Sequence, residues 1–489
     1  MLSEKALFPQ IIIDITTISF NRVVFFLENA LYLHKRNLKT EVMLIRFVVS
    51  NFFSIGKDCE FNMLPAPLKS HPEHVYYNST KRLKVLKGAA IYGANGAGKS
   101  NIIRAIHFLQ VAVSSGEILP NMSRFKYKLD PEIAARPIVF DVEYEWHKKF
   151  YGYHLEIQND IIIEESLYEL GFQNDDKMLF ERKYIEQTGK ISVSIGEKRF
   201  VNSRQKLLAS LLADNILNNT KVLLTNHSMF NDKKISNAYS WFAEGLQIIF
   251  PNTVYPGIAK PLSDSDKFTS FANSIITNLD TGVSEIGVDI IPFDKFFKEE
   301  DTQYKRQLMA RLNSSKEDVP VQMKSGSVLV ASIDENNNYV IKKPVTYHKN
   351  SNNTKVKFDI LEESDGTQRL LDIIPAIDMY LNKGTTVIVD EVDESLHPSL
   401  LKAIMSKIMS SKPADGGQFI VSTHESNLLD YDIYRQDEIW FVEKNNGSTV
   451  LYPLTDFKPR ADLQIQKGYL MGRFGAVPFL ANLKTLNWL

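Results

Sequence analysis

The order of apolar and polar residues along this chain changes its period from one stretch to the next, and each period predicts a type of element. Apolar residues alternate with acidic ones over 140–146, and the alternation resumes over 151–157 after a polar turn at 147–149. Because a period of two puts alternate side chains on one face of a strand, these stretches predict an antiparallel hairpin with one face toward water. A similar alternation over 44–52 predicts an early strand. We therefore expect a domain to begin at Met43.

Other stretches predict buried strands and the helices that cover them. Three short runs of consecutive apolar and β-branched residues are typical of parallel strands that are buried on both faces. These runs lie at 85–92, 385–389 and 419–423. Apolar residues recur with helical spacing after the first run, over 102–109, and again over 370–381. The chain therefore predicts an α/β fold in which helices flank a mixed sheet, with an antiparallel β subdomain.

The same patterns divide the chain into four predicted segments. Residues 1–42 form an N-terminal extension, which is also compatible with a non-native start. Residues 43–170 form an N-terminal lobe and residues 356–489 a C-terminal lobe. The spacing is mostly helical between about 200 and 315, so residues 171–355 are predicted to form a mainly helical insertion.

Composition and charge narrow the class of protein without identifying it. The 489 residues carry a formal net charge of −1, which gives no sign of a nucleic-acid or membrane surface over the whole chain. Cys59 is the single cysteine, which excludes an intramolecular disulfide and a multi-cysteine metal site and fits a reducing compartment. Polar residues interrupt the apolar stretch 11–33, so no segment has the roughly twenty apolar residues that span a bilayer. We expect a cytoplasmic protein without a membrane partner.

The stretch 93–100, which reads GANGAGKS, carries the first chemical signal. Glycines let a loop curl until its backbone N–H groups point at phosphate oxygens, and the following helix offers its positive N-terminus to the same anion. Lys99 is suited to reach the β- and γ-phosphates, and the Ser100 hydroxyl is a suitable ligand for Mg²⁺. The predicted strand before the loop and the helix after it supply the required context. The sequence predicts a nucleotide site; a glycine turn without a ligand is the alternative.

Polar side chains follow two of the predicted parallel strands. Because the carboxyl ends of such strands line the ligand crevice, Asp390 and Glu391 are expected beside the phosphate loop. Asp390 is predicted to hold Mg²⁺, directly or through water, and Glu391 to orient or deprotonate the attacking water. His424 follows the next strand, and a contact with the γ-phosphate or with that water is predicted for it. The alternatives are a solvated acid pair and a structural histidine.

A second helix N-terminus with small residues lies at 364–367, which reads SDGT. Hydroxyl groups and a glycine at a helix N-terminus form another surface suited to phosphate. Since the first loop already cradles one nucleotide, this surface is predicted to serve the nucleotide of a partner subunit. A helix cap without a ligand is the alternative.

The order of these motifs resembles that of ABC-type ATPases of the SMC, RecF and OLD branch. The stretch 390–398, DEVDESLHP, is similar to the Walker B motif and D-loop of that branch. The resemblance implies an ATP- and Mg²⁺-dependent ATPase that forms a head-to-tail homodimer, in which Ser364 and Gly366 contact ATP bound to the other copy. Arg369 has no secure role. Gln110 is not assigned to the family's glutamine loop, because it lies inside the helix after the phosphate loop.

The predicted site residues fall into three groups. The catalytic residues are Lys99, Glu391 and His424. The nucleotide is bound by Gly93, Ala94, Asn95, Gly96, Ala97, Gly98, Lys99, Ser100, Asn101, Ser364 and Gly366. The metal ligands are Ser100 and Asp390.

From Met43 onward the chain resembles, within that branch, the ATPase subunits of bacterial two-gene abortive-infection systems of the RloA and AbiL type. The supporting stretches are spread along the chain, at 43–47, 86–89, 437–441 and 472–478. The resemblance implies anti-phage defence, in which the ATPase senses infection or controls a toxic effector encoded beside it. A nucleic acid or a phage component is a candidate trigger.

The C-terminal part of the sequence favours an effector on a separate chain. Only 65 residues follow His424, which is short for a further domain, and they lack the clustered carboxylates of a two-metal nuclease. The alternative function is that of a RecF- or SMC-like DNA-binding ATPase in repair or maintenance. The balanced charge disfavours it, because a DNA clamp gains affinity by neutralising phosphates.

Overall fold

A computed structural model of the protein describes most of the chain. The described residues are 42–77, 83–171, 175–196, 202–251, 258–279, 281–297, 302–315, 318–323, 328–413, 416–460 and 464–477. The predicted N-terminal extension lies outside them, except for residue 42, which begins the first strand. Among the described residues, no helix is long and apolar enough to cross a membrane.

A six-stranded sheet forms the centre of the fold, and five of its strands are mutually parallel. In spatial order its strands are β11 (Leu246–Ile249), β17 (Thr386–Val389), β18 (Gln418–Thr423), β5 (Gly88–Gly93), β19 (Ile439–Asn445) and β20 (Ser448–Pro453). Every residue of β5, β17 and β18 is buried, as expected for strands covered on both faces. The structure therefore confirms the predicted parallel strands.

Alternate residues of a strand point to opposite faces of the sheet, so these buried strands present apolar side chains on both faces. Helices cover both faces. The covering helices are α1 (Lys99–Ser115), α10 (Asp365–Lys383) and α11 (Pro398–Ser410). Ile91, Ile388 and Ile420 share one apolar core with α1. Val387 and Val421 share a second core with α10 and α11.

The predicted strand at 85–92 is two strands rather than one. A break at Lys87 separates β5 from β4 (Lys84–Leu86), which pairs with β3 (Val75–Tyr77) in a small antiparallel sheet. The strand pairing changes at Lys87, from β3 before it to the central sheet after it. The hydrophobic pattern does not show this change, because both pieces are apolar.

A seven-stranded antiparallel sheet contains the predicted hairpin. In spatial order its strands are β10 (Lys190–Ile195), β9 (Lys177–Ile185), β8 (Ile161–Glu169), β7 (Lys149–Gln158), β6 (Ile138–Trp146), β1 (Val42–Ser50) and β2 (Cys59–Asn62). The turn between β6 and β7 uses His147 and Lys148, which both have positive φ, as a type I′ hairpin turn requires. The early strand and the hairpin are therefore confirmed.

The segment 171–355 contains the predicted helices, with seven α-helices among its described residues, and also strands that the sequence pattern did not predict. It completes the seven-stranded sheet, supplies β11 to the central sheet and contributes most of a third sheet with its own apolar core. The strands of this third sheet are β12 (Glu285–Pro292), β13 (Val319–Gln322), β14 (Val328–Ile333), β15 (Tyr339–Lys349) and β16 (Lys355–Asp359). Sequence periodicity missed these strands because several are short and the longest is interrupted by lysines and a proline.

The remaining α-helices are mostly short and lie between the strands. They are α2 (Pro131–Ala134), α3 (Ser203–Leu211), α4 (His227–Phe230), α5 (Lys233–Ser240), α6 (Ala259–Asp264), α7 (Asp266–Asn278), α8 (Phe293–Phe296), α9 (Thr302–Ser315) and α12 (Ile465–Leu470). One of several 3₁₀ turns, Pro72–His74, precedes β3.

Candidate functional site

The loop between β5 and α1 has the backbone shape of an anion cradle. Gly98 has φ of 116°, and a Cβ added to it would lie 2.1 Å from the Thr449 hydroxyl oxygen, so a side chain is excluded there. Gly96 also has positive φ, at 76°, but a Cβ added to it would have open space around it. The first N–H groups of α1 have no carbonyl partner within the helix. These features fit a phosphate group.

Side chains from distant parts of the chain hold this loop in shape. The Thr449 hydroxyl donates to the Ala97 carbonyl at 2.8 Å and lies 2.7 Å from the Ser54 hydroxyl. Asn101 donates its side-chain amide to Ser54 Oγ at 2.7 Å. The Asn101 amide thus braces the loop, and its predicted contact with the nucleotide stays a prediction. Thr449 and Ser54 carry no motif, so the sequence did not reveal their role.

Lys99 is buried at the start of α1, with 4% of its surface exposed. Its Nζ donates to the Gly93 carbonyl at 2.7 Å and lies 3.1 Å from both ring nitrogens of His424. Burial lowers the pKa of Lys99 to about 8, although the nearby carboxylates, of which Glu391 acts most strongly, oppose this shift. The ammonium is therefore poorly compensated, and an anion in the loop would stabilise its charge.

Asp390 and Glu391 follow β17 and differ in exposure. Asp390 is 1% exposed and accepts a 2.5 Å hydrogen bond from the Ser422 hydroxyl. The backbone N–H of Glu391 donates to the same hydroxyl at 2.8 Å, while 38% of the Glu391 side chain is exposed. One Asp390 oxygen is thus fixed inside the protein, whereas the Glu391 carboxylate is open to solvent.

His424 joins the lysine and the carboxylates in one cluster. Its Nε2 lies 4.0 Å from Glu391 Oε1, and its backbone N–H donates to the Asp393 carboxylate at 3.2 Å. Burial and the charge of Lys99 lower the pKa of His424, against the attraction of Asp393 and Glu391. The imidazole is therefore neutral at neutral pH and can both donate and accept a hydrogen bond. Sequence analysis did not single out Asp393.

The start of α10 lies against the segment that carries the two carboxylates. The Arg369 guanidinium is buried and donates to the backbone carbonyls of Asp390 at 3.0 Å and Glu391 at 3.2 Å. A Cβ added to Gly366 would lie 2.8 Å from the Ser395 carbonyl, so the glycine permits this close approach. Arg369, which the sequence left without a role, therefore links α10 to the carboxylate segment.

Ser364 is the N-cap of α10. Its hydroxyl accepts a hydrogen bond from the Thr367 N–H at 3.2 Å and lies 2.9 Å from the Thr367 hydroxyl. Gln110 also has a structural role, because its amide donates to the carbonyls of Phe242 and Leu246 inside the core. This agrees with leaving Gln110 out of the glutamine-loop role.

The structure thus brings four predicted site residues together, and their side chains fit the predicted cofactors. Lys99, Asp390, Glu391 and His424 form one cluster next to the loop that ends at Ser100. A hydroxyl and carboxylates are the hard oxygen donors that Mg²⁺ prefers. The roles of these residues toward a nucleotide stay predictions.

Comparison with known proteins identifies the family. Residues 89–430 match the family described as "AAA domain, putative AbiEii toxin, Type IV TA system". Because the match spans more than half of the chain, the chain belongs to this family. The central sheet, flanked by helices and with the phosphate loop after β5 and the carboxylates after β17, confirms the α/β fold that the sequence predicted, and the family description names an AAA domain. A search of curated proteins found no match.

Similar solved structures include three SMC heads. One, an SMC head bound to the C-winged helix domain of ScpA, is 14% identical, with 85% of this chain and 99% of that chain covered and a TM-score of 0.39. The SMC head domain from Thermotoga maritima is 12% identical, with 84% and 98% covered and a TM-score of 0.32. An SMC head with an extended coiled coil, bound to the C-terminal domain of ScpA derived from Pyrococcus furiosus, is 14% identical, with 88% and 99% covered and a TM-score of 0.35. TM-scores this low support no conclusion about this chain.

Proposed function

We propose that this protein binds ATP with Mg²⁺ and hydrolyses it, and that a nucleotide-bound homodimer controls a separately encoded effector in bacterial anti-phage defence. The observation that carries the proposal is the cluster of Lys99, Asp390, Glu391 and His424 beside the phosphate loop. The cluster combines a poorly compensated cation, a buried carboxylate, an exposed carboxylate and a neutral imidazole. These are the groups that phosphoryl transfer to water requires.

Each group has a distinct task in the proposed reaction. When ATP binds, Lys99 gives up its hydrogen bond to the Gly93 carbonyl and binds phosphate oxygens instead. The negative charge of the phosphates stabilises the protonated form of Lys99. Glu391, the exposed carboxylate, orients or deprotonates the attacking water. His424 holds that water or the γ-phosphate through its neutral ring. Ser100 and the free oxygen of Asp390 would hold Mg²⁺, which neutralises phosphate charge when it is bound.

The shared site is the second part of the proposal. Ser364 and Gly366 would contact ATP bound to the other copy through the positive N-terminus of α10. Arg369 supports this arrangement, because it ties the same helix to the backbone of Asp390 and Glu391. Loss of the γ-phosphate from the ATP bound by one copy would therefore be transmitted along α10 to the nucleotide site of the other copy.

The role in defence rests on the family and on the resemblance of the sequence. The family description refers to a putative AbiEii toxin and a type IV toxin–antitoxin system. The resemblance to RloA- and AbiL-type subunits makes a phage-responsive ATPase the more specific hypothesis. In this hypothesis the protein acts in the cytoplasm and the destructive step belongs to its partner.

ATP binding and hydrolysis are separated by two substitutions in the purified chain. Lys99→Ala should abolish ATP binding, since it removes the positive charge on the phosphates. Glu391→Gln should retain ATP but slow hydrolysis by at least about 100-fold, because the water loses its base. Binding is measured by calorimetry, and phosphate release with and without Mg²⁺ measures turnover. Normal turnover in Glu391→Gln would contradict the assigned role.

Two matched variants control for nonspecific effects, and one cellular assay tests the biological role. Lys402→Ala removes a surface cation that pairs with Asp430, and Glu335→Gln changes an exposed carboxylate; both should behave like wild type. In bacteria that carry the gene with its neighbouring reading frame, wild type should reduce phage plaques and Lys99→Ala should not. Equal plaque numbers with wild type and with neither gene would exclude the defence role.

A further inference from the structure

A cluster of potential metal ligands lies outside the nucleotide site, in the turn that precedes β3. The side chains of His71, Glu73 and His74 converge there, with one ligand atom from each lying within 4.8 Å of the other two. His71 Nδ1 lies 3.0 Å from Glu73 Oε1, and His74 Nε2 lies 3.8 Å from the same oxygen. Two imidazoles and one carboxylate are a ligand set that Zn²⁺ uses in proteins.

The other nitrogen of each ring is held by a group that accepts a hydrogen bond. His71 Nε2 lies 2.7 Å from the Tyr431 carbonyl, so this nitrogen must carry a proton. His74 Nδ1 lies 3.0 Å from the fully buried Glu438 carboxylate, to which it donates. In the neutral rings, His71 Nδ1 and His74 Nε2 are therefore left with lone pairs that face Glu73. Metal-binding histidines are typically oriented in this way, by a carbonyl or a carboxylate on the far nitrogen.

A proton on His71 Nδ1 would satisfy only the contact with Glu73 at 3.0 Å, whereas a metal ion would also engage His74 Nε2. The two imidazole rings stack with their centroids 4.6 Å apart, so protonation of both would place two positive charges next to each other. The nearby Arg435 cannot serve, because its guanidinium is committed to Asp437 at 2.8 Å and to backbone carbonyls. One divalent ion satisfies all three acceptors with a single charged group.

We propose that this cluster is a Zn²⁺ site in which His71 Nδ1, Glu73 Oε1 and His74 Nε2 are the ligands. Glu438 and the Tyr431 carbonyl orient the two rings, and the partly exposed Glu73 leaves the fourth position open to solvent. Nitrogen ligands favour Zn²⁺ over Mg²⁺, which prefers oxygen. The ion would join the turn before β3 to the segment that leads into β19, and would stabilise contacts between residues about 360 positions apart.

The experiment measures Zn²⁺ binding by the full chain, with Zn²⁺ alone as the probe. Protein stripped with a chelator is titrated in competition with a chromophoric chelator, and bound zinc is counted after desalting. We expect one Zn²⁺ per chain and a higher melting temperature in its presence, since a ligand that binds only the folded state stabilises it. Glu73→Gln and His71→Asn should each weaken binding by at least about 10-fold, as disruption of a zinc site does. Asn suits position 71 because His71 has positive φ.

His154→Asn is the matched control. His154 also contacts two acidic side chains, Asp141 and Glu156, but among the described residues these three side chains do not bring one ligand atom each together as His71, Glu73 and His74 do. This variant should keep the wild-type zinc affinity. The proposal is overturned if wild type binds no stoichiometric Zn²⁺, if the two ligand variants bind as tightly as wild type, or if His154→Asn loses affinity equally. Circular dichroism of each variant verifies that it is folded. ATP binding is not part of the test, so failure of the proposed ATPase function leaves this inference intact.

Discussion

Two histidines of this protein show how the surroundings of a residue decide its protonation. His424 lies beside the Lys99 ammonium in a half-buried position, and burial together with that charge lowers its pKa. For His154 burial acts in the same direction, but hydrogen bonds to Asp141 and Glu156 outweigh it and raise the pKa to about 10. One ring is therefore neutral and the other charged at the same pH. A neutral His424 suits the candidate nucleotide site, because Lys99 already supplies the positive charge that pairs with a phosphate there.

The charged state of His154 predicts a pH-dependent contribution to stability. Because its pKa is raised in the folded state, the contribution is fully present below the unfolded pKa of about 6.5 and is lost as pH rises through about 10. His154→Asn should lower the free energy of unfolding by up to about 1 kcal/mol at pH 6, since the pair is partly exposed. Urea denaturation at pH 6 and pH 10.5 measures the difference between variant and wild type.

A double-mutant cycle with Asp141→Asn is the control for this prediction. If the ion pair is the cause, the two substitutions together should cost less than the sum of their separate effects at pH 6. A His154→Asn effect that is the same at pH 6 and pH 10.5 would show that packing, rather than charge, determines it.

At the scale of elements, the first turn of α10 combines a helix cap with a close approach to another segment of the chain. Its N-cap Ser364 satisfies a backbone N–H of the helix, and Gly366 allows the chain to approach the Ser395 carbonyl. Arg369, one turn later, binds the carbonyls of the carboxylate segment. A serine at a helix start is explained by capping alone, so capping and nucleotide contact have to be separated by experiment.

Ser364→Asp and Ser364→Ala separate the two roles. Aspartate is a good N-cap, so Ser364→Asp should keep the melting temperature, whereas Ser364→Ala should lose about 1 kcal/mol. If Ser364 also contacts a partner's ATP, the aspartate repels the phosphates and abolishes ATP-dependent dimerisation in the Glu391→Gln background. Thermal melts and light scattering measure the two effects. A dimer of normal stability in Ser364→Asp would leave capping as the sole role.

At the scale of the whole molecule, the candidate site is assembled from both ends of the described chain. In sequence, the phosphate loop lies between the first two strands of the antiparallel sheet and the other five, and the carboxylates follow the third sheet. Because β5, β17 and β18 are adjacent in the central sheet, the segments after them meet at one edge. The proposed dimer would complete this site with α10 of a second copy.

Mixing two inactive variants tests the shared site. In a mixed dimer of Lys99→Ala and Ser364→Asp, both defects fall in one composite site and the other site is intact. Random exchange should therefore restore about a quarter of wild-type ATP hydrolysis, because half of the dimers are mixed and each has one good site. Differently tagged subunits verify the exchange. Exchange without any recovery of hydrolysis would contradict a site shared between copies.

Much of the fold and the centre of the candidate site could be predicted, because their signals are local. The period of two over 140–157 and the apolar run at 385–389 report which faces of a strand are buried, and the structure confirms both. The third sheet was missed, since lysines and a proline interrupt its longest strand. The burial of this strand depends on how it packs against other strands, and its own apolar and polar residues do not show it.

The sequence by itself determined the phosphate loop, the strand ends with Asp390, Glu391 and His424, and the helix start at Ser364, because glycine conformations, buried strands and helix caps are encoded over a few neighbouring residues. The tertiary structure alone decided which distant groups complete them. Thr449 braces the loop, and Asp393 and Arg369 position the segments around it. The same holds for His71, Glu73 and His74, because residues about 360 positions away orient the two histidine rings. Such contacts leave no periodic trace in the sequence, because they depend only on how the sheets and helices pack.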